Sequence, residues 1–302
     1  MDQKAALKAL EANIIEACTN HELVHRKDKN YRACVSIGTD YFVKFGNANA
    51  LWPELQTQSY IFDYARSTPH PDTPRIPQVV HHFKDRWIMY LVMEFITLTT
   101  DAHPDLIDRT KEALVWLSGV PPPPNHVIGP LGGGRILHDF FQDGEAPLLF
   151  SSVDALQRYM HEVRLCFRSR ASTHRSLTCN LGQAHKLLSD YGQKHVSPVE
   201  MGGDRLMFTQ SDMDPSNFGV DQHGKTVLMD FGRIGVLPET FVAYTMSGKR
   251  FAPIANALGL SDSSTYSMAV VSPALWIIAD PRLSASASTS YEILTNVRHR
   301  PG

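Results

Sequence analysis

The stretch LMFTQSDMDPSNFGVDQHGKTVLMDFGRIGVL, residues 206–237, decides how this chain is read. Leu206, Met207, Phe208 and Thr209 form an apolar approach to a loop that holds Asp212 and Asn217. Phe218, Gly219 and Val220 then read as a strand. DQHGK (residues 221–225) reads as a turn around Gly224, and TVLM (226–229) as a second apolar strand ending at Asp230. A hairpin of this shape carries Asn217, just before its first strand, back beside Asp230, just after its second. Three side chains able to bind metal or take a proton are thus expected at one end of one hairpin. Phosphoryl transfer needs such a set, because charge builds on the phosphate oxygens and is met by divalent metal. Magnesium takes oxygen ligands, which Asp230 offers as a carboxylate and Asn217 as an amide. Asp212 is left to orient an acceptor hydroxyl or amine and take its proton.

The same residues carry a resemblance. Asp-x-x-x-x-Asn followed by Asp-Phe-Gly is similar to the catalytic-loop and magnesium signatures of kinases. QSDMDPSNFGV (210–220) resembles more closely the HGDLHPGNIL-type loop of the aminoglycoside phosphotransferase and choline kinase families, with Pro215 in the same place. The resemblance implies that Asp212 is the catalytic base and that Asn217 and Asp230 are magnesium ligands. GPLGGG (129–134), followed by SVDALQRYM (152–160), also looks like a broad group of fungal members of that family. The resemblance covers roughly residues 30–270 and is strong in this one segment. It implies an α+β, bilobal, protein kinase-like fold. A small β-rich nucleotide-binding lobe is expected over residues 1–95. A larger, mainly helical catalytic and substrate lobe is expected over 96–302.

Working toward the N-terminus, the pattern agrees with that layout. Residues 5–18 have apolar side chains at helical spacing. RACVSI (32–37), Gly38-Thr39-Asp40 and YFVKF (41–45) read as a hairpin. Residues 51–67 read as a helix with Pro53 in its first turn, and residues 68–77 as a proline-rich loop. Residues 78–83 and WIMYLVMEF (87–95) read as two strands, the second buried. A kinase-like fold needs a strand lysine held by a helix glutamate. Lys44 fits, since it interrupts an apolar strand, and Glu54 on the following helix is its natural partner. Met93, Glu94, Phe95 and Ile96 resemble the inter-lobe hinge whose backbone pairs with adenine, although an ordinary core strand reads the same way.

Toward the C-terminus, helices are expected over 105–118, from Ser152 to about 168, over 184–193 and across most of 258–278. Residues 119–134 hold four consecutive prolines and a glycine run, so no regular element is expected there. GPLGGG reads as a surface or substrate-side loop. The tail, 284–302, is Ser/Ala-rich and expected to be poorly ordered. No protein kinase-type Ala-Pro-Glu segment follows Asp230-Phe231-Gly232, which favours a small-molecule acceptor. Asp214 and Glu239 would suit a cationic one.

The sequence departs from the family in three places. Residues 28–37 contain no glycine, so no glycine-rich loop precedes Lys44. Gln210 and Ser211 replace the histidine and glycine ahead of the catalytic aspartate. Asp214 stands where the family has histidine or alanine, and also reads as a loop cap. These departures leave two alternatives to an ATP- and magnesium-dependent phosphotransferase. One is a catalytically silent kinase-like protein that binds nucleotide or a partner. The other is a kinase fold redirected to another small-molecule reaction.

Composition narrows the partners. A formal net charge of -2 over 302 residues argues against nucleic acid and against an anionic membrane surface. The four cysteines, Cys18, Cys34, Cys166 and Cys179, show no zinc-ligand spacing and are expected reduced. His81, His82, His174 and His185 lack metal-ligand company. With no apolar run of membrane length and no signal-like N-terminus, a soluble cytoplasmic protein is expected. Oligomeric state is not readable.

Overall fold

The computed structural model describes residues 3–99, 104–170 and 197–277. The helix expected over 184–193, the tail 284–302, Cys179, His174 and His185 lie outside them, as does the side chain of Cys166. The chain is α+β. In chain order its main elements begin with α1 (Gln3–His25), β1 (Cys34–Ile37), β2 (Tyr41–Asn47) and α2 (Ala48–Ser67). Next come β3 (Val79–Asp85), β4 (Ile88–Glu94), α3 (Leu106–Ser118), α4 (Val153–Arg170) and β5 (Leu206–Gln210). Last are β6 (Phe218–Val220), β7 (Thr226–Leu228), β8 (Ile234–Pro238) and the helices Glu239–Thr245, Ala252–Leu258 and Thr265–Ile277. Two compact units form, and neither is continuous in sequence: Met1–Trp116 with Asp214–Gly232, and Leu117–Met213 with Arg233–Gly302.

The first unit is built on an antiparallel sheet of order β1-β2-β4-β3. Gly38, at φ 59°, turns β1 into β2. Side chains alternate along each strand, and both faces are covered. Val43, Phe45, Tyr90 and Val92 pack with Ile14 and Cys18 of α1. Phe42, Met89, Leu91 and Met93 pack with Leu51 and Leu55 of α2. This two-sided burial explains the unbroken apolar run of β4.

Helix α2 starts three residues earlier than its apolar pattern suggests, because the Asn47 side chain accepts from the Asn49 N–H at 2.8 Å and caps it. Pro53 therefore lies inside the helix and not in its first turn. The missing N–H leaves the Asn49 carbonyl without its usual helical donor.

The β6–β7 hairpin belongs to the same unit because two passing segments clamp it. Arg75 N–H donates to the Thr226 carbonyl at 2.7 Å, and Leu228 N–H to the Arg75 carbonyl at 3.0 Å. On the other edge, Thr99 N–H donates to the Val220 carbonyl at 2.8 Å. Buried Asp221 holds the turn, accepting from the His223 and Lys225 N–H groups at 2.9 Å each and from Arg75 Nη1 at 3.0 Å. Those donors hold its carboxyl below the usual range in spite of burial, which pushes the other way.

The second unit has a core of Phe140, Phe141, Leu156, Met160, Leu237, Phe241 and Met268, among others. Strand β8 pairs antiparallel with β5, from Leu206↔Pro238 to Gln210↔Ile234. GPLGGG docks on β8: Gly129 and Val236 exchange N–H···O bonds of 2.8 and 2.9 Å. A Cβ on Gly235 would stand 2.9 Å from the Gly129 backbone, so glycine permits this approach. The helical pattern expected over 258–278 is broken at its start. Gly259, at φ 64°, caps the helix Ala252–Leu258, and the next helix begins only at Thr265.

His138 is buried in this core. Its Nδ1 accepts the Phe140 N–H at 3.0 Å, so the ring proton sits on Nε2, 2.7 Å from Thr245 Oγ1. Burial pushes its pKa down to about 4. Below its usual value near 6.5 the unfolded chain takes a proton here that the folded chain refuses until about pH 4. Stability is therefore expected to fall as pH drops through that window, by about 3 kcal/mol from this residue. Urea titrations at pH 7, 5.5 and 4.5 check it: His138→Leu should flatten the slope, and an equal slope in both proteins would contradict it.

Candidate active site

Three of the residues singled out in the sequence meet in the first unit. Lys44 lies on the α2 face of the sheet, and its Nζ is 2.5 Å from Glu54 Oε1 and 2.7 Å from Asp230 Oδ1. Strand register sets this up. Lys44 shares its face with Phe42, and α2 crosses that face carrying Glu54 on the same side as Leu51 and Leu55. Glu54 is 5% exposed, so it is an inward side chain and not a surface carboxylate at the helix start. The Phe231 N–H also donates to it, and the Gly232 N–H donates to Asp230.

The charges are coupled. Burial opposes a charged Lys44, but Glu54 and Asp230 outweigh it and hold the ammonium above its usual range. Burial also opposes a charged Asp230, and Lys44 outweighs it, so that carboxyl is held low. For Glu54, burial wins over Lys44 and pushes the carboxyl up. With all three ionised, one negative charge is in excess, which favours a cation beside Asp230. Asp230 also adopts φ 56°, a left-handed conformation that Asp tolerates better than most residues.

Asn217 is buried and ends the short helical turn Pro215–Asn217. Its carbonyl accepts the Met229 N–H at 2.9 Å, which sets Asn217 and the residue before Asp230 across the hairpin from one another. Among the described residues no cluster of three or more His, Cys, Asp or Glu could hold a metal. A carboxylate and an amide oxygen are ligand types that magnesium takes, with waters and phosphate oxygens filling most of its coordination positions.

Asp214 takes the loop-cap role. Its side chain accepts the Ser216 N–H at 2.8 Å ahead of Pro215. Glu94 is engaged twice, accepting from Arg75 Nη2 at 2.7 Å and from the Gln78 N–H at 3.0 Å. The N–H groups of Glu94 and Phe95 are also spent, on the carbonyls of Gln78 and Asp40 at 2.9 Å each. Of the expected hinge run, Ile96 lies past β4, beyond both bonds, and is half-buried. Arg75 and Asp221 brace this region, and sequence reasoning missed both. Arg75 sits in a proline-rich loop and Asp221 in a turn, so neither interrupts an apolar pattern as Lys44 does.

In the second unit, Asp212 follows β5. Its N–H donates to Gln210 Oε1 at 3.1 Å, so the Gln210 amide holds the backbone of the loop. The Ser211 N–H donates to the Arg233 carbonyl at 3.1 Å. Ser211 Oγ is buried and, among the described residues, has no hydrogen-bond partner. Glu239 is taken up by Arg205 at 2.7 Å.

No protein-family model matches the chain, and no curated protein sequence does. Solved structures resemble it loosely. Aminoglycoside phosphotransferase APH(4)-Ia is 11% identical, with 88% of this chain and 100% of that one covered, at a TM-score of 0.43. A putative fructosamine-3-kinase from Haemophilus somnus is 10% identical, covering 82% and 81%, at 0.44. The GDP complex of aminoglycoside 2'-phosphotransferase-IIIa is 12% identical, covering 90% and 95%, at 0.45. Likeness at this level assigns the chain to no family, and none of it bears on the fungal-type resemblance.

Proposed function

We propose that this chain is an ATP- and magnesium-dependent phosphotransferase of the bilobal, protein kinase-like type, acting on a hydroxyl or amine of a small metabolite. One observation carries the reading. Lys44 and Asp230, 186 positions apart, meet at 2.7 Å, and the same lysine pairs with the buried Glu54 at 2.5 Å. A lysine held between a helix glutamate and the aspartate of an Asp-Phe-Gly run is what phosphoryl transfer asks of its nucleotide site.

Residues 1–95 would supply the nucleotide side, with Lys44 on the phosphates and Ile96 at the adenine edge. Asn217 and Asp230 would hold the magnesium, which when bound neutralises phosphate charge. Residues 96–302 would supply the acceptor side. There Asp212 would orient the attacking oxygen or nitrogen and accept its proton. The new bond forms at the γ-phosphorus, the bond to the β–γ bridging oxygen breaks, and ADP leaves. This reading would place the protein in the cytoplasm. Among the described residues no helix is long and apolar enough to cross a membrane.

The test uses γ-labelled ATP, magnesium and a pool of small hydroxyl- and amine-bearing metabolites. Label is expected in a small molecule and not in protein. ATP binding with no transfer to any acceptor would instead favour the catalytically silent reading.

A further inference from the structure

The kinase-type arrangement that residues 206–237 resemble covers the nucleotide phosphates with a glycine-rich hairpin ahead of the lysine strand. Among the described residues, the sheet here begins at β1, and what precedes it is the helix α1. The link between them, RKDKNYR (residues 26–32), holds four cations and one carboxylate. That carboxylate, Asp28, is 2.9 Å from His25 Nδ1.

The last cation of the link is placed by the strand that follows it. Ala33, Val35 and Ile37 pack toward α1. Tyr31 stacks on His21 of α1, with ring centroids 5.6 Å apart. Phe45 N–H donates to the Ala33 carbonyl at 3.0 Å, which ties the end of the link to β2. The chain bends at Ala33, where the Cys34 N–H donates to the Arg32 carbonyl at 2.8 Å, so Arg32 stands beside Cys34, the direct cross-strand neighbour of Lys44. The Arg32 carbonyl is fixed by His21 Nε2 at 3.0 Å. Its side chain is exposed, and among the described residues no carboxylate or carbonyl accepts from the guanidinium. Lys44 is already engaged by two carboxylates. The Arg32 charge also contributes to holding Asp230 ionised.

We propose that Arg32 grips the polyphosphate of the nucleotide, supplying from a guanidinium the contacts that a glycine-rich loop supplies from backbone N–H groups. This rests on the nucleotide reading above. Guanidinium suits the task because its planar fork pairs with two phosphate oxygens at once. Nothing in the fold depends on the side chain, so its removal should leave the protein intact.

Calorimetric titration with ATP and AMP, both with magnesium, tests the proposal on the wild type, Arg32→Ala, Arg32→Lys and Lys29→Ala. Arg32→Ala should weaken ATP by roughly 10- to 100-fold, as for loss of a charge-assisted contact. AMP, which lacks the β- and γ-phosphates, should bind as before. Arg32→Lys should recover part of the loss, Lys29→Ala should match the wild type, and all melting temperatures should agree. Unchanged ATP affinity in Arg32→Ala would overturn the proposal and leave the nucleotide site standing, as would equal weakening of ATP and AMP. A wild type that binds no nucleotide would overturn both.

Discussion

Asp230→Asn is expected to lower phosphate transfer by about a thousandfold or more while leaving the fold intact. The substitution keeps shape and removes charge. Under the proposed reading that charge holds the magnesium, whose neutralising effect on the transition state is worth several kcal/mol, or about three powers of ten in rate. The fold should survive because Lys44 keeps Glu54 at 2.5 Å and the Asp230 side chain is itself a third exposed. Turnover across a magnesium titration, with thermal unfolding alongside, checks this. The asparagine variant should need far more magnesium and melt near the wild-type temperature. Wild-type turnover would sink the metal role, and collapse of the fold would show the carboxylate to be structural.

Asp212→Asn should cost about 10²- to 10⁴-fold in turnover, the usual contribution of a positioned base, with ATP affinity unchanged. Loss confined to turnover is the signature. Asp212 is held by a backbone bond to Gln210 that asparagine keeps, since the donor is the main-chain N–H. Single-turnover rates with saturating ATP read the chemical step alone. Normal rates would remove Asp212 from the mechanism, and weakened ATP binding would point to another role.

Much of the first unit is legible because its signals are local. Lys44 stands out because it interrupts the apolar run YFVKF, the kinase-like resemblance implies Glu54 of the following helix as its partner, and the two meet. The hairpin after Asn217 announces itself through DQHGK, and its two strands pair, with Phe218 opposite Leu228. What stayed hidden depends on distant partners. Strand β8 is a strand because β5, 24 or more positions away in chain order, pairs with it and because Gly129 approaches Gly235. Arg75 and Asp221, 146 positions apart, form an ion pair that no sequence window contains. Helix α2 starts ahead of its apolar pattern because an asparagine cap, not an apolar residue, sets its first turn. The departures around Asp212 concern chemistry more than fold: Gln210 keeps a backbone bond but brings no positive charge.

The central claim is that Lys44, Asn217 and Asp230 form one nucleotide–metal site. A crystal structure with magnesium and a non-hydrolysable ATP analogue tests it most directly. The account predicts a magnesium ion with oxygens of Asn217 and Asp230 at about 2.0–2.1 Å and Lys44 Nζ on the phosphates. A metal held elsewhere, or a nucleotide bound away from Lys44, would contradict it.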